Sequence, residues 1–374
     1  MKIAILTHEL GNNYGGLLQN YAMQQVLKSM GHSPITLNHQ SPNPYTLPIK
    51  IASLLKQSIR KIRGVHENLR VWTTNKEKVY ISHRINKFIQ NHLERTIPFR
   101  QSELRTITPD DLDAIVVGSD QVWNPTYIKP IDRFFLSDFV DKDILRIAYA
   151  ASFGGNQWMF NEQETAKCKE LIHKFDLITV REDSGVAMCK EYLHVDATHV
   201  LDPTMLLSHD HYCSLLPASR SHKKNSLMVY MLDKTCQKNK LVEEIAINLG
   251  LEINSIMPES SFRKEGPVGI EKCVFPAVET WIQGFEDADF VVTDSFHGTV
   301  FAIIFNKPFI TIINRERGAD RFISLLKLFG LEDRLVDIND DYISLLGKNI
   351  DFEYVNTILD YNRNISISAL EKFL

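Results

Sequence analysis

The sequence predicts an α/β protein built from two Rossmann-like, doubly wound domains that face each other across a cleft. Short apolar runs alternate with helix-period segments along most of the chain, which is how parallel sheets covered by helices are written. The chain opens as strand, glycine-bearing loop, helix and strand, a βαβ unit. Its 374 residues are too many for one compact core of ordinary size and suit two domains.

Lys2 to Thr7 reads as the first strand and Gly11 to Gly16 as a flexible loop. The helix that follows is marked by Leu18, Tyr21, Ala22, Val26, Leu27 and Met30 and stopped by Gly31; Ile35 to Asn38 is the next strand. The loop lacks the Gly-x-Gly-x-x-Gly spacing, so no dinucleotide is indicated. Further strands are expected at 114–118, 146–151, 177–180 and 199–201, where Asp202-Pro203 closes the first half. A second series runs through 227–232, a helix near 241–249, then 251–256, 280–285, 290–293 and 309–313. The expected divisions are an N-terminal domain over 1–205, with a basic helical insertion at 50–105, and a C-terminal domain over 206–350. A terminal helix, 351–374, is expected to pack back on the first domain.

Lys+Arg 42 against Asp+Glu 46 gives a net charge of -4, which argues against nucleic acid as the main partner. Five scattered cysteines without a Cys-x-x-Cys pair argue against a disulfide framework and a structural zinc site. With no signal-peptide core and no spanning segment, a cytoplasmic protein is expected. Charge is uneven all the same, because residues 50–105 hold thirteen Lys/Arg against four Asp/Glu. Ile51, Leu55, Ile59 and Ile62 recur there at helical spacing among Lys56, Arg60, Lys61 and Arg63. That amphipathic pattern suits peripheral contact with an anionic membrane surface; a helix packed on its own domain with a solvated basic face is the alternative.

Chemistry concentrates in 288–312, where strand, polar turn, helix and strand follow in order. Asp294 and Ser295 are capping residues, and a helix over 299–305 would leave N–H groups and a positive dipole end at His297 and Gly298. An anion is favoured there, and a histidine beside it suits acid–base work. The alternative is a core histidine in an ordinary capped turn.

Five stretches occur in the order that the polysaccharide pyruvyl transferase family shows them, and the chain resembles that family over most of its length. They are Asn13-Tyr14-Gly15-Gly16-Leu17-Leu18-Gln19, Val117-Gly118-Ser119-Asp120-Gln121-Val122-Trp123-Asn124, Val180-Arg181-Glu182-Asp183-Ser184, Leu201-Asp202-Pro203 and Thr293-Asp294-Ser295-Phe296-His297-Gly298. The resemblance implies a glycosyltransferase B-like fold, with the domain over 1–205 on the acceptor side and that over 206–350 on the donor side. It also implies phosphoenolpyruvate as co-substrate, a sugar diol or lipid-linked oligosaccharide as acceptor, and a cyclic pyruvate ketal and phosphate as products. Neither a metal nor a cofactor is implied.

That reaction needs an arginine fork for a carboxylate, cations or a helix terminus for a phosphate, and an acid and a base. Arg181, after the strand 177–180, is the expected fork, with surface pairing to Glu182 or Asp183 as the alternative. Ser295, Phe296, His297, Gly298, Arg315 and Arg317 complete the expected donor site, while Arg321 is expected to support the following helix. The family often carries an arginine two residues before the histidine; this chain has Ser295 there, leaving Arg315 or Arg317 to supply the contact. His297 is the expected acid, and Asp120 and Asp294 are candidates for the base. Asn13, Tyr14, Gly15, Gln19, Asp120, Gln121, Trp123 and Asn124 are the expected acceptor contacts, with Trp123 offering a stacking face or else filling the core. A nucleotide-sugar glycosyltransferase of the same architecture, with Glu316 or Asp320 near a ribose, is the rival reading. A non-catalytic binding protein that has kept the fold is a second.

Overall fold

A computed structural model describes residues 1–40, 45–63, 68–109, 111–139, 143–219, 221–313 and 318–374. In chain order come β1 (Lys2–Leu6) and β2 (Ser33–Thr36), the short β3 (His39–Gln40) and β4 (Phe99–Arg100), then β5 (Ala114–Val117), β6 (Leu145–Ala151), β7 (Leu177–Val180) and β8 (Thr198–His199). The later series is β9 (Ser226–Tyr230), β10 (Glu252–Ser255), β11 (Ala288–Thr293), β12 (Phe309–Ile312) and β13 (Leu335–Val336). Two parallel sheets result, ordered β2-β1-β5-β6-β7-β8 and β10-β9-β11-β12-β13. Every residue of β5, β9 and β12 is buried, because helices cover both faces of a parallel sheet and no side chain along such a strand reaches water.

Two helix starts differ from expectation. The flexible loop expected at 11–16 is cut short by the helix Tyr14–Ser29, whose Asn13 cap accepts from Gly16 N. The helix expected from Thr299 begins a turn earlier, at Phe296, and runs to Ile304 with Ser295 as its cap. In each case a capping side chain holds glycine-containing residues in a helical first turn despite their low propensity.

One apolar core joins residues of both series. Tyr14 stacks on Trp281 at 5.6 Å and donates its hydroxyl to Pro276 O at 2.8 Å. The terminal helix Phe352–Glu371 meets the segment after β8: Leu201 N donates to Ser366 Oγ and Arg363 Nε to Met205 O, each at 3.0 Å. Within the insertion, Ile85 and Phe88 of the helix His83–His92 are fully buried. Ile81 packs with Phe262 and Cys273 from the later half.

Candidate active site

The polar centre gathers at the carboxyl ends of both sheets. β5 runs out into Gly118-Ser119-Asp120, and Asp120 takes a left-handed backbone, φ 74, while bridging to Ala151. Opposite it, β6 slips register between Ala148 and Ala151 with Ala150 at φ 51. A bulge of this kind re-aims the residues beyond it, and alanine in that region is strained. Ser152 follows and donates to the Glu182 carboxylate. Arg181 leaves the end of β7, Asp202 follows β8, His297 lies in the first turn after β11, and Arg321 lies in the first turn of the helix Asp320–Phe329.

Asp202 is the hub. Its Oδ2 accepts from Arg181 Nη1 and Ser119 Oγ, both at 2.9 Å, and its Oδ1 accepts from Thr204 N at 3.0 Å and Thr204 Oγ1 at 2.6 Å. His297 Nε2 stands 3.5 Å from the same Oδ2, an ion-pair approach outside a well-formed hydrogen bond. Arg181 Nη2 lies 3.5 Å and Arg321 Nη1 4.0 Å from Asp120 Oδ1. Phe296 lies under both guanidinium groups, 4.1 Å from that of Arg181 and 5.7 Å from that of Arg321, in cation–π geometry.

Burial alone would raise the carboxyls of Asp202 and Asp120. For Asp202 the opposing charges of His297 and Arg181 and the Thr204 hydroxyl prevail, and for Asp120 those of His8, Arg181, His297 and Arg321. Both are held well below the usual carboxylate range. Burial, with Arg181 as a like charge, brings Arg321 down to about 10. His8 is lowered by burial and by Arg181, against the pull of Asp120.

Arg181, Asp120, Phe296 and His297 therefore come together as expected, but the fork of Arg181 is already engaged by Asp202 and Asp120. Several other expectations need correction. Trp123 is fully buried, stacks on Phe135 at 4.9 Å and donates Nε1 to Phe134 O at 3.0 Å, so it is core and offers no sugar a face. Tyr14 and Gln19 are likewise buried, Gln19 Nε2 donating to Thr7 Oγ1 at 2.7 Å. Asp294 accepts from Leu232 N, Asp233 N and Lys238 Nζ, at 2.6, 3.1 and 2.5 Å, and so ties the turn after β9 to β11. Buried and held by three donors, one of them the Lys238 ammonium, it is a structural carboxylate and a poor candidate for the base. Ser295 caps its helix through Gly298 N at 3.4 Å. Gly298 packs against Thr293, whose side chain a Cβ there would overlap.

Asn13 is exposed at the start of its helix, whereas Gly15 meets His297 so closely that a Cβ would overlap the imidazole. Gln121 and Asn124 line an open cleft of about 380 Å³ with Thr126, Tyr127, Gly155 and Asp320. Asn124 Nδ2 donates to Gln121 Oε1 at 2.9 Å. Arg315, Arg317 and Glu316 lie outside the described residues. Arg321, one of the three arginines expected within reach of the cleft but read as support for the following helix, faces Asp120 and Phe296. From the sequence, Asp202, Glu182 and Ser119 stood out only as members of motifs, with no catalytic or binding role, and Ser152 and His8 not at all. Their common signal is position, since each follows a strand of the first sheet, where a doubly wound fold puts its ligand crevice. Elsewhere, His209, Cys213 and Glu286 gather with ligand atoms within 4.8 Å of one another, beside Phe305 at the far end of the His297 helix. His209 Nε2 bonds Glu286 there at 2.8 Å, which accounts for the cluster as an ion pair.

Two parallel sheets with a polar centre at their carboxyl ends define a protein with two Rossmann-like domains. Solved structures of two epimerases share this fold. UDP-GlcNAc 2-epimerase from Neisseria meningitidis bound to UDP-GlcNAc matches with a TM-score of 0.50 at 10% identity, covering 100% of both chains. A putative UDP-N-acetylglucosamine 2-epimerase from Listeria monocytogenes gives a TM-score of 0.50 at 9% identity, covering 99% of this chain and 95% of that one. An alpha-glucosyltransferase in complex with UDP gives 0.45 at 10% identity, covering 99% and 95%. No curated protein matches the chain. The sequence profile of the family Polysaccharide pyruvyl transferase matches residues 13–316. The chain belongs to that family of transferases.

Proposed function

We propose that this chain moves the pyruvyl group of phosphoenolpyruvate onto two hydroxyls of a sugar in a cell-surface polysaccharide or its lipid-linked precursor, releasing phosphate. The observation that carries the reading is a buried histidine, His297, held by Gly15 from one series and Asp202 from the same half, beside two buried arginines. The N-termini of the helices Tyr14–Ser29 and Phe296–Ile304 approach each other at Gly15 and His297. Two positive dipole ends and two guanidinium groups repel one another unless an anion joins them, and the donor is such an anion. Asp202 and Asp120 offset part of that charge in its absence.

In the proposed reaction a sugar hydroxyl bonds to the enol carbon while the methylene carbon takes a proton. The carbon–oxygen bond to phosphate then breaks, and the second hydroxyl closes the ketal and gives up its proton. His297 supplies the first proton, and Asp120, whose carboxyl stays ionised, accepts one from the acceptor. Asp202 positions His297 and Arg181. The Nε–H of Arg181 has no partner among the described residues and is the atom left for the donor. Gln121 and Asn124, at the cleft mouth, meet acceptor hydroxyls. Among the described residues no disulfide joins any of the five cysteines, which suits the reducing cytoplasm proposed as the place of action.

Incubation with phosphoenolpyruvate and candidate repeat units should give the ketal by mass spectrometry and release phosphate. His297→Gln should retain the fold and slow turnover by about 10²–10⁴, the usual acid–base contribution. Turnover within about threefold of the parent at saturating donor would remove His297 as the acid. Phosphoenolpyruvate at a hundred times its dissociation constant should stabilise the protein by about 2.7 kcal/mol. Stabilisation by a nucleoside diphosphate instead would favour the nucleotide-sugar reading.

A further inference from the structure

The first helix of the insertion, Leu47–Ile62, is mounted with its apolar side outward. Leu47, Ile51, Leu54, Leu55, Ile59 and Ile62 recur at steps of three and four and form one stripe. All six are exposed, Leu55 at 64% and Ile62 at 86%. Gln57 is the one buried residue of this helix, and Lys50, Ser53 and Arg60 on the same side are half-buried. Lys50 Nζ lies 5.8 Å from the centre of the Trp72 ring. The polar side thus rests on the protein and the apolar side faces away, the reverse of a surface helix in a globular fold.

Charge identifies the occupant. Lys50, Lys56, Arg60, Lys61 and Arg63 accompany the stripe, and no Asp or Glu occurs from Thr46 to Arg63. At 100° per residue, Lys61 borders the stripe on one side and Lys56 and Arg63 on the other, where long stems can lie along apolar surface while their charged ends reach anionic groups. A partner protein would have to present an apolar groove rimmed with acidic residues. A bilayer containing anionic lipid presents apolar interior beneath negative headgroups everywhere. No helix among the described residues is long and apolar enough to cross a membrane, so this one would lie in the plane of the interface. We propose that the helix Leu47–Ile62 docks the protein on an anionic bilayer, with the stripe at the acyl boundary and the bordering cations Lys56, Lys61 and Arg63 among the headgroups. This holds whatever reaction the cleft carries out.

The test uses the whole chain and vesicles of phosphatidylcholine, with and without phosphatidylglycerol. Sedimentation is expected with the anionic vesicles only, and added salt should release the protein, since each cation near the surface contributes roughly fivefold. Leu55→Gln with Ile59→Gln should weaken binding by at least about tenfold for each leucine-sized side chain withdrawn from the boundary. Both side chains are exposed, so the melting temperature should not move. Independently, Leu55→Cys carrying a polarity-sensitive dye should shift to the blue on anionic vesicles. Failure to sediment with anionic vesicles at low salt overturns the proposal, as does equal binding by the double variant. A double variant that turns a dimer into a monomer, with no vesicle binding by the parent, would assign the stripe to a second copy of the chain.

Discussion

Gly15 and His297 form a close contact between the two series at the polar centre, and it exists because residue 15 has no side chain. The imidazole then has one place to stand, between the start of the helix Tyr14–Ser29 and Asp202. Gly15→Ala would push the ring away from that place, and a displacement of about 1 Å from productive geometry can cost about 10² in rate. We expect that loss in kcat, with stability lowered by about 1–3 kcal/mol from overpacking. Gly11→Ala is the control, because a Cβ there would meet nothing nearer than Glu9 O at 4.0 Å. Equal rates for the two variants would mean that Gly15 serves only the helix.

The helix Phe296–Ile304 is held at its mouth by residues that all look alike in sequence, yet each has a separate task. Ser295 caps it, Thr293 fills the space that Gly298 leaves, and Asp294 turns away to Lys238 and the loop after β9. Asp294→Asn leaves a buried ammonium without its carboxylate, a change worth about 3–5 kcal/mol. The expected signature is a lower urea midpoint with turnover per folded molecule retained. Complete loss of turnover in a folded Asp294→Asn enzyme would restore Asp294 as a candidate base.

For the molecule as a whole, stability should fall on acidification in two windows. His8 and His39 are pushed down by burial, so the unfolded chain binds protons before the folded one. Their contribution is complete above about pH 6.5 and declines as pH drops below it, at a slope of up to about 1.4 kcal/mol per pH unit for each. His209, raised by Asp210 and Glu286 against its burial, opposes this with one group. Asp120 and Asp202 are depressed, so their contribution is intact above about pH 3.9 and is lost only as pH falls through their folded values. Urea midpoints measured from pH 8 to 3 at constant ionic strength should step down below about 6.5 and again below about 4. A flat profile between 8 and 5 would contradict the burial of His8 and His39.

Much of this architecture depends on local chemistry that can be read along the chain. The apolar runs that became β1, β5, β7, β9, β11 and β12 are continuous, the helices carry their caps, and ordered motifs such as Val117 to Asn124 and Thr293 to Gly298 mark the crevice. The amphipathic stripe from Ile51 to Ile62 was equally legible, because its period is intrinsic to a helix. Partner and depth were not legible, since they depend on which elements the fold brings together. Trp123 and Gln121 stand two residues apart in one motif, yet one fills the core and the other lines the cleft. Asp294 and Asp202 are both acidic residues at strand ends, but only contact with Lys238 or with Arg181 and His297 separates a tether from a hub. Whether the apolar stripe faces the protein or away from it also depended on tertiary contacts. Periodicity and capping are properties of neighbouring residues, and so the sequence alone determined the elements and their order; burial and charge pairing arise between residues hundreds of positions apart, and only the tertiary structure decided them.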